Sequence, residues 1–237
     1  MKGFLNYITE LIYPPRCVMC GELLEPGTER VCFCDMCRGI WEGEKAAQCP
    51  ECRRRVNECG CQPKYNRSRT VDGFRTLSFY ESENVKKLIR TVKTDRDPAL
   101  ETLLGRDLSN LIMRYYKIDG DCVVAYPNRD RSSVKKYGFD HARLLCRKVS
   151  EYTGVPVYPY IKHRHTRQQK TLSAKERGYN AVRSYYIPDR YRGLLKNKRV
   201  IFIDDVVTTG ATSVVCASLC KAAGASGFSV FSVAKTR

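Results

Sequence analysis

The 237-residue sequence has no stretch approaching the roughly 20 apolar residues that a membrane-spanning helix needs. Residues 1–13 carry one Lys and the acidic Glu10, with no small-residue cleavage site, so a secretory leader is not expected. Acidic residues are scarce: 25 Asp plus Glu face 42 Lys plus Arg, a formal balance of +17. Beyond its cysteine pairs the chain shows no long-range repeat, and it has no low-complexity tract. With 43% apolar and 28% charged residues it is not a fully disordered chain either. A disulfide framework is disfavoured, because the 13 cysteines are odd in number and come without a leader. The expectation is a cytoplasmic protein of one or two domains, not transmembrane, with reduced thiols.

Nine of the 13 cysteines lie between Cys17 and Cys61. Eight form close pairs: Cys17 with Cys20, Cys34 with Cys37, Cys49 with Cys52, and Cys59 with Cys61. A two-residue gap lets a tight turn aim both thiolates at one ion, and two such turns complete a tetrahedral site that suits zinc. The preferred assignment is two structural sites, Cys17, Cys20, Cys34 and Cys37 for one and Cys49, Cys52, Cys59 and Cys61 for the other. An interleaved pairing is the main rival, and Cys32 is a spare that can stand in for Cys34. The stretch 16–65 holds few large anchors (Phe33, Trp41, Tyr65), so it needs such staples to fold. Cys122, Cys146, Cys216 and Cys220 read as small buried apolar residues.

Before this segment, Phe4, Leu5, Ile8, Leu11 and Ile12 have helical spacing, stopped by Pro14 and Pro15. After it, a polar linker runs over 63–70. The rest alternates: strands are expected at 74–80, 122–126, 184–187, 200–203 and 227–233, and helices at 84–93, 98–116, 140–152 and 211–223. Such alternation implies a largely parallel sheet covered on both faces. The expected fold is α/β, a mostly parallel sheet flanked by helices and preceded by a small cysteine-rich unit, divided as 1–66 and 67–237.

The sharpest pattern is Val200-Ile-Phe-Ile-Asp-Asp-Val-Val-Thr-Thr-Gly-Ala-Thr212. A buried strand ends in two carboxylates, Asp204 and Asp205. Thr208, Thr209, Gly210, Ala211 and Thr212 then open a helix. Loop amides at a helix N-terminus suit an anion, Gly210 allows close backbone approach, and carboxylates beside them can accept from vicinal sugar hydroxyls. The set suits a ribose 5-phosphate. Charge agrees: from Arg129 to Arg199 there are 19 Lys or Arg against 5 Asp or Glu, a balance of +14, which points to a polyanionic partner.

The 200–212 stretch resembles the phosphoribosyl pyrophosphate (PRPP) signature of type I phosphoribosyltransferases. Together with the cysteine-rich segment, the chain resembles the ComF family, ComFC-like competence proteins that carry a double zinc ribbon before such a domain. Lys136-Tyr-Gly-Phe-Asp-His141 is similar to the family's Arg-Gly-Phe-Asn-Gln block. Thr166-Arg-Gln-Gln-Lys-Thr-Leu172, with Arg177 and Asn180, is similar to its Thr-x-x-Gln-x-x-Leu…Arg-x-x-Asn block. Asp140-His141 departs from Asn-Gln, and Cys59-x-Cys61 departs from Cys-x-x-Cys.

The resemblance implies that Asp204 and Asp205 hold ribose hydroxyls and that 208–212 cradles the 5-phosphate. It implies a pyrophosphate turn at 127–131 with Arg129 and Arg131, and a basic cover loop at 160–182 with Arg167, Lys170 and Arg177. Mg2+ would arrive with PRPP. It further implies a role in DNA uptake and natural transformation, with single-stranded nucleic acid and a DNA-uptake helicase as partners. Tyrosines and arginines interleaved over 179–191 suit base stacking. The alternative is an active phosphoribosyltransferase; the acceptor, and whether turnover occurs, stay open, with His141, His163 and His165 as acid/base candidates. The carboxylate pair is expected to face solvent at the strand end.

Overall fold

A computed structural model describes residues 14–25, 31–63, 66, 70–128, 131–163 and 184–237. Residues 1–13 of the expected N-terminal helix, the residues Arg129, Arg167, Lys170 and Arg177, and the larger part of the expected cover loop lie outside them.

Four strands form one parallel sheet in the order β1 (Gly73–Phe79), β6 (Gly227–Lys235), β5 (Arg199–Val207), β2 (Cys122–Ala125). All three pairings are parallel. A separate antiparallel pair joins β3 (Lys162–His163) to β4 (Tyr185–Tyr186). β5 is internal, and Val200, Ile201, Phe202 and Ile203 are all fully buried. Alternation along the strand sends Ile201 and Ile203 to one face and Val200 and Phe202 to the other. The first face packs with α2 (Glu83–Thr94), α3 (Pro98–Tyr115) and α5 (His141–Thr153). The second packs with α7 (Ala211–Ala222), Tyr160, Ile161 and Ile187. Between α3 and α5 lies the short α4 (Arg131–Tyr137), and before β5 the single turn α6 (Asp189–Arg192). Among the described residues no helix is long and apolar enough to cross a membrane.

Local chemistry fixes the helix starts. Asp97 caps α3, accepting from the amides of Ala99 and Leu100 at 2.9 and 3.1 Å, with Pro98 in the first turn. Asp140 caps α5 in the same way through Ala142 and Arg143. The C-terminal end of α5 turns on Gly154 at φ 72°, a left-handed conformation that glycine adopts without Cβ strain.

The cysteine-rich segment contains α1 (Asp35–Ala46), a helix the sequence reading did not anticipate. It also repeats itself. Cys17 and Cys20 are followed by Gly21 at φ 80°, and Cys49 and Cys52 by Arg53 at φ 57°. The amides of Gly21 and Arg53 donate to the carbonyls of Cys17 and Cys49, each at 2.8 Å. Bridges Arg16–Leu23 and Gln48–Arg55 close both turns in the same register. The second turn thus places an arginine where the first uses glycine.

This segment is built into the first face of the sheet. Cys17, Phe33, Cys37 and Trp41 share a core with Leu88, Leu108, Ile201 and Phe231. A buried polar anchor ties the junction: Asp107 of α3 accepts from the Trp41 indole at 2.7 Å and from the Lys45 ammonium at 2.9 Å. Asp107→Asn keeps the shape and removes the charge. Hydrogen bonds to charged groups contribute about 1.5–3 kcal/mol, so a loss of about that size is expected. Denaturant unfolding followed through the chain's single tryptophan measures it; an unchanged midpoint would contradict the anchor.

Candidate functional site

The sheet has a topological switch point between β2 and β5. The chain leaves β2 toward α5 on the first face and leaves β5 into α7 on the second. Crevices outside the carboxyl ends of strands at such points are where open α/β sheets bind ligands. Asp204, Asp205 and the 208–212 stretch all stand at the carboxyl end of β5. Ala125 pairs with Phe202, so the 127–131 turn leaves the neighbouring strand at the same level. Residues 129–130 lie outside the described residues, and Arg131 opens α4.

The strand runs on through both carboxylates to Val207, longer than the expected 200–203, with Asp204 opposite Ser232 of β6. The solvent-facing pair is therefore corrected by the structure. Asp205 is only 7% exposed. Its Oδ2 meets His141 Nε2 at 2.5 Å and Lys93 Nζ at 3.0 Å. Lys93 comes from the last turn of α2 and His141 from the first turn of α5, the two helices that pack on this face. Burial by itself would raise the Asp205 carboxyl; the His141 hydrogen bond and the Lys93 charge outweigh it and hold the group below the usual carboxylate range. Asp204 is half-buried and goes the other way, raised by desolvation and then by the charge of Asp205. Of the two adjacent carboxylates, one is pinned as the anion and the other resists ionisation.

The loop beyond has the expected geometry. Gly210 sits at φ 79° as the residue before α7, buried, where a Cβ would be strained and would lie 2.8 Å from Pro63 Cβ. Thr209 Oγ1 accepts from the Ala211 amide at 3.4 Å. The first-turn amides of a helix lack intrahelical partners, so residues 211–212 present donors at this end. Thr208 is exposed and Thr209 half-buried.

Two further sets of residues can be placed. Tyr185 packs edge-on against His163 at 5.2 Å, and burial raises its hydroxyl, so it is a packing residue. Tyr191 packs against the buried Tyr160. Tyr186 remains 36% exposed.

The eight paired cysteines form two groups, Cys17, Cys20, Cys34, Cys37 and Cys49, Cys52, Cys59, Cys61, with the sulfurs of each group within 4.8 Å of one another. This is the preferred pairing and not the interleaved one. Four convergent sulfurs fit a tetrahedral ion, and each group can hold a metal such as zinc as a closed structural site. In the first group, burial raises the Cys17 thiol, but the amides of Cys20, Cys34 and Met19 pull it down to about 7, favouring the ligating thiolate. Cys32 stays outside both groups. It is buried, and desolvation pushes its thiol up to about 12, as suits a packing residue and not a ligand. The Cys59-x-Cys61 departure leaves the second group closed.

No family model matches the chain. It is 24% identical over 226 residues to DNA utilization protein YhgH of Salmonella typhi, covering 93% of this chain and 90% of that one. It is 22% identical over 234 residues to competence protein ComFC of Streptococcus pneumoniae, covering 93% of this chain and all of the other. Over most of its length the chain is thus similar to proteins named for DNA utilization and competence. A third relative, competence protein F of Haemophilus influenzae, is 31% identical over 104 residues, 41% of this chain and 43% of that protein. Among solved structures, this chain is similar to glutamine PRPP amidotransferase of B. subtilis at 18% identity and TM-score 0.39, over 61% of this chain and 30% of that one. It is similar to purine phosphoribosyltransferase of Pyrococcus horikoshii at 18% identity and TM-score 0.37, over 57% and 83%. The fold itself is a parallel sheet flanked by helices, with the two cysteine groups ahead of it in the chain.

The site missing from the sequence reading is the Lys93–Asp205–His141 contact. Only the replacement of the family's Gln by His141 signalled it. The Asp204 environment makes a testable statement. A carboxyl raised in the folded state gives stability that is complete below the unfolded value, near pH 4, and is lost as pH rises through the folded value. Asp204→Asn removes that loss. Without ligand, the melting temperature of the variant relative to the parent should therefore be higher at pH 8 than at pH 5. An offset that is equal at both pH values would contradict the burial argument.

Proposed function

We propose that this chain binds PRPP, with its Mg2+, at the carboxyl end of β5, and binds single-stranded nucleic acid through its basic segment in support of DNA uptake and natural transformation. One observation carries the reading: adjacent carboxylates run straight into a left-handed glycine that opens a helix at the switch point of a parallel sheet. Ribose hydroxyls would donate to Asp204 and Asp205. The 5-phosphate would take backbone amides of Thr208, Thr209, Gly210, Ala211 and Thr212 and hydroxyls of the three threonines. Mg2+ would be held mainly by the pyrophosphate, with Arg129 and Arg131 beside it and Arg167, Lys170 and Arg177 from the cover loop. On this reading 1–66 is the metal-binding unit and 67–237 the phosphoribosyl unit, acting in the cytoplasm. The relatives named for DNA utilization and competence support the cellular role.

The site also bears on turnover. Displacing pyrophosphate from the ribose needs its charge neutralised and water excluded. The cationic residues above would supply the first, so an active phosphoribosyltransferase on a small acceptor is the second reading. PRPP consumption with a defined acceptor separates it from a binding protein.

Calorimetry with PRPP and Mg2+ tests the site. Asp204→Ala should weaken binding at least about tenfold while the fold is kept; equal affinity would overturn the assignment. Asp205→Ala is a poor test, because it strands Lys93 and the buried His141 without their carboxylate. For nucleic acid, affinity should fall linearly on a log–log salt plot, since phosphate contacts release counterions. Tyr186→Ala should cost about 1–3 kcal/mol with little change in slope, as lost stacking does. No binding to single strands even at low salt would overturn that half of the reading.

A further inference from the structure

The second cysteine group lies against the phosphate loop, while the first is packed into the core beside α2 and α3. From Cys59 to Pro63 the chain passes over the carboxyl ends of β1 and β6. Gly60 there lies against the tip of the Arg75 side chain from β1. Pro63, two residues past the ligand Cys61, then meets Gly210, where an added Cβ would sit 2.8 Å from its Cβ and 3.2 Å from its Cγ. No side chain but hydrogen fits between them.

A second strut runs through β6. Lys235 Nζ donates to Cys59 Sγ at 3.1 Å, and Lys235 pairs with Val207, the residue before the loop. Thr236 closes the same corner, its amide on the Val207 carbonyl at 3.0 Å and its hydroxyl on the Thr208 carbonyl at 3.3 Å. Cys49, Cys61, Pro63, Thr208, Thr209 and Lys235 line one small cavity of about 160 Å3. Four thiolates around a divalent ion leave a net charge of −2, facing a loop read here as a phosphate site. The Lys235 ammonium lies on a thiolate sulfur at that boundary and offsets the charge.

We propose that the second cysteine group is a positioning element of the phosphate loop, so that metal held by Cys49, Cys52, Cys59 and Cys61 and a phosphorylated ribose held by 208–212 strengthen each other's binding. Pro63 and Lys235 are the positioning residues. The inference rests on the ribose-phosphate reading of the loop. Ligation fixes Cys59 and Cys61, which sets Pro63 against Gly210; Lys235 fixes β6 against the same group and screens it. Coupling between sites is reciprocal, so the ligand must protect the metal by the factor by which the metal aids the ligand.

The full-length, zinc-loaded chain is challenged with a chelator and a thiol-alkylating reagent, with and without ribose 5-phosphate, and the cysteines are read by mass spectrometry. Saturating ribose 5-phosphate should slow alkylation of Cys49, Cys52, Cys59 and Cys61 roughly tenfold, within the usual range of coupling, and leave Cys17, Cys20, Cys34 and Cys37 unchanged. Pro63→Gly and, independently, Lys235→Met should still load two zinc equivalents, yet lose the selective protection and bind ribose 5-phosphate about tenfold more weakly by calorimetry. Ribose 5-phosphate that binds the parent but protects neither group, or both equally, overturns the linkage alone. Failure of ribose 5-phosphate to bind the zinc-loaded parent overturns the loop reading and the linkage together.

Discussion

Two adjacent carboxylates at the end of a strand buried on both faces cannot both be anions without compensation. The site is organised around that constraint. Alternation sends Asp205 to the face where α2 and α5 meet, and each helix delivers one nitrogen to it, Lys93 Nζ and His141 Nε2. Asp204 takes up the remaining cost and stays reluctant to ionise. Burying a charge without partners is among the larger penalties available to a fold, so α2, α5 and β5 are locked in one arrangement before any ligand arrives. The same arrangement fixes where the helix-opening loop at 208–212 stands.

The cysteine groups solve a different problem. A segment of about 50 residues with few large anchors cannot supply its own core, and convergent thiols replace what hydrophobic area does elsewhere. They do not form a free-standing bead. Trp41 and Cys37 are embedded in the sheet's first-face core, and the second group caps the carboxyl ends of β1 and β6. The metal-binding segment is thereby part of the architecture that frames the β5 site. Asp107, holding Trp41 and Lys45, is the polar register mark of that junction.

Much of this was legible in residue order. The run Val200 to Ile203 could only be an internal strand, Asp97-Pro98 and Asp140 announced helix starts, and the spacing of the cysteine pairs gave the two groups correctly. What escaped had physical reasons. α1 starts inside the Cys34/Cys37 pair and shows only Cys37 and Trp41 to the core, too few apolar positions for a periodic signal. β5 continues through Asp204 and Asp205 because β6 offers it hydrogen bonds as far as Lys235, a tertiary fact no local pattern carries. Lys93 looked like an ordinary basic residue near a helix end, the favoured place for one. That it reaches a carboxylate more than a hundred residues away depends on how α2 crosses the sheet. Tyr185, read as a stacking residue, is packed against His163 instead.

The central claim is that the end of β5 and the loop opening α7 form one phosphoribosyl site. Its most direct test is a two-dimensional amide spectrum of the isotopically labelled, zinc-loaded chain titrated with ribose 5-phosphate. The account predicts saturable shifts concentrated on the amides of Asp205 and residues 208–212, with Gly210 among the largest. Saturable shifts confined to other parts of the chain, with Gly210 and its neighbours unmoved, would contradict it.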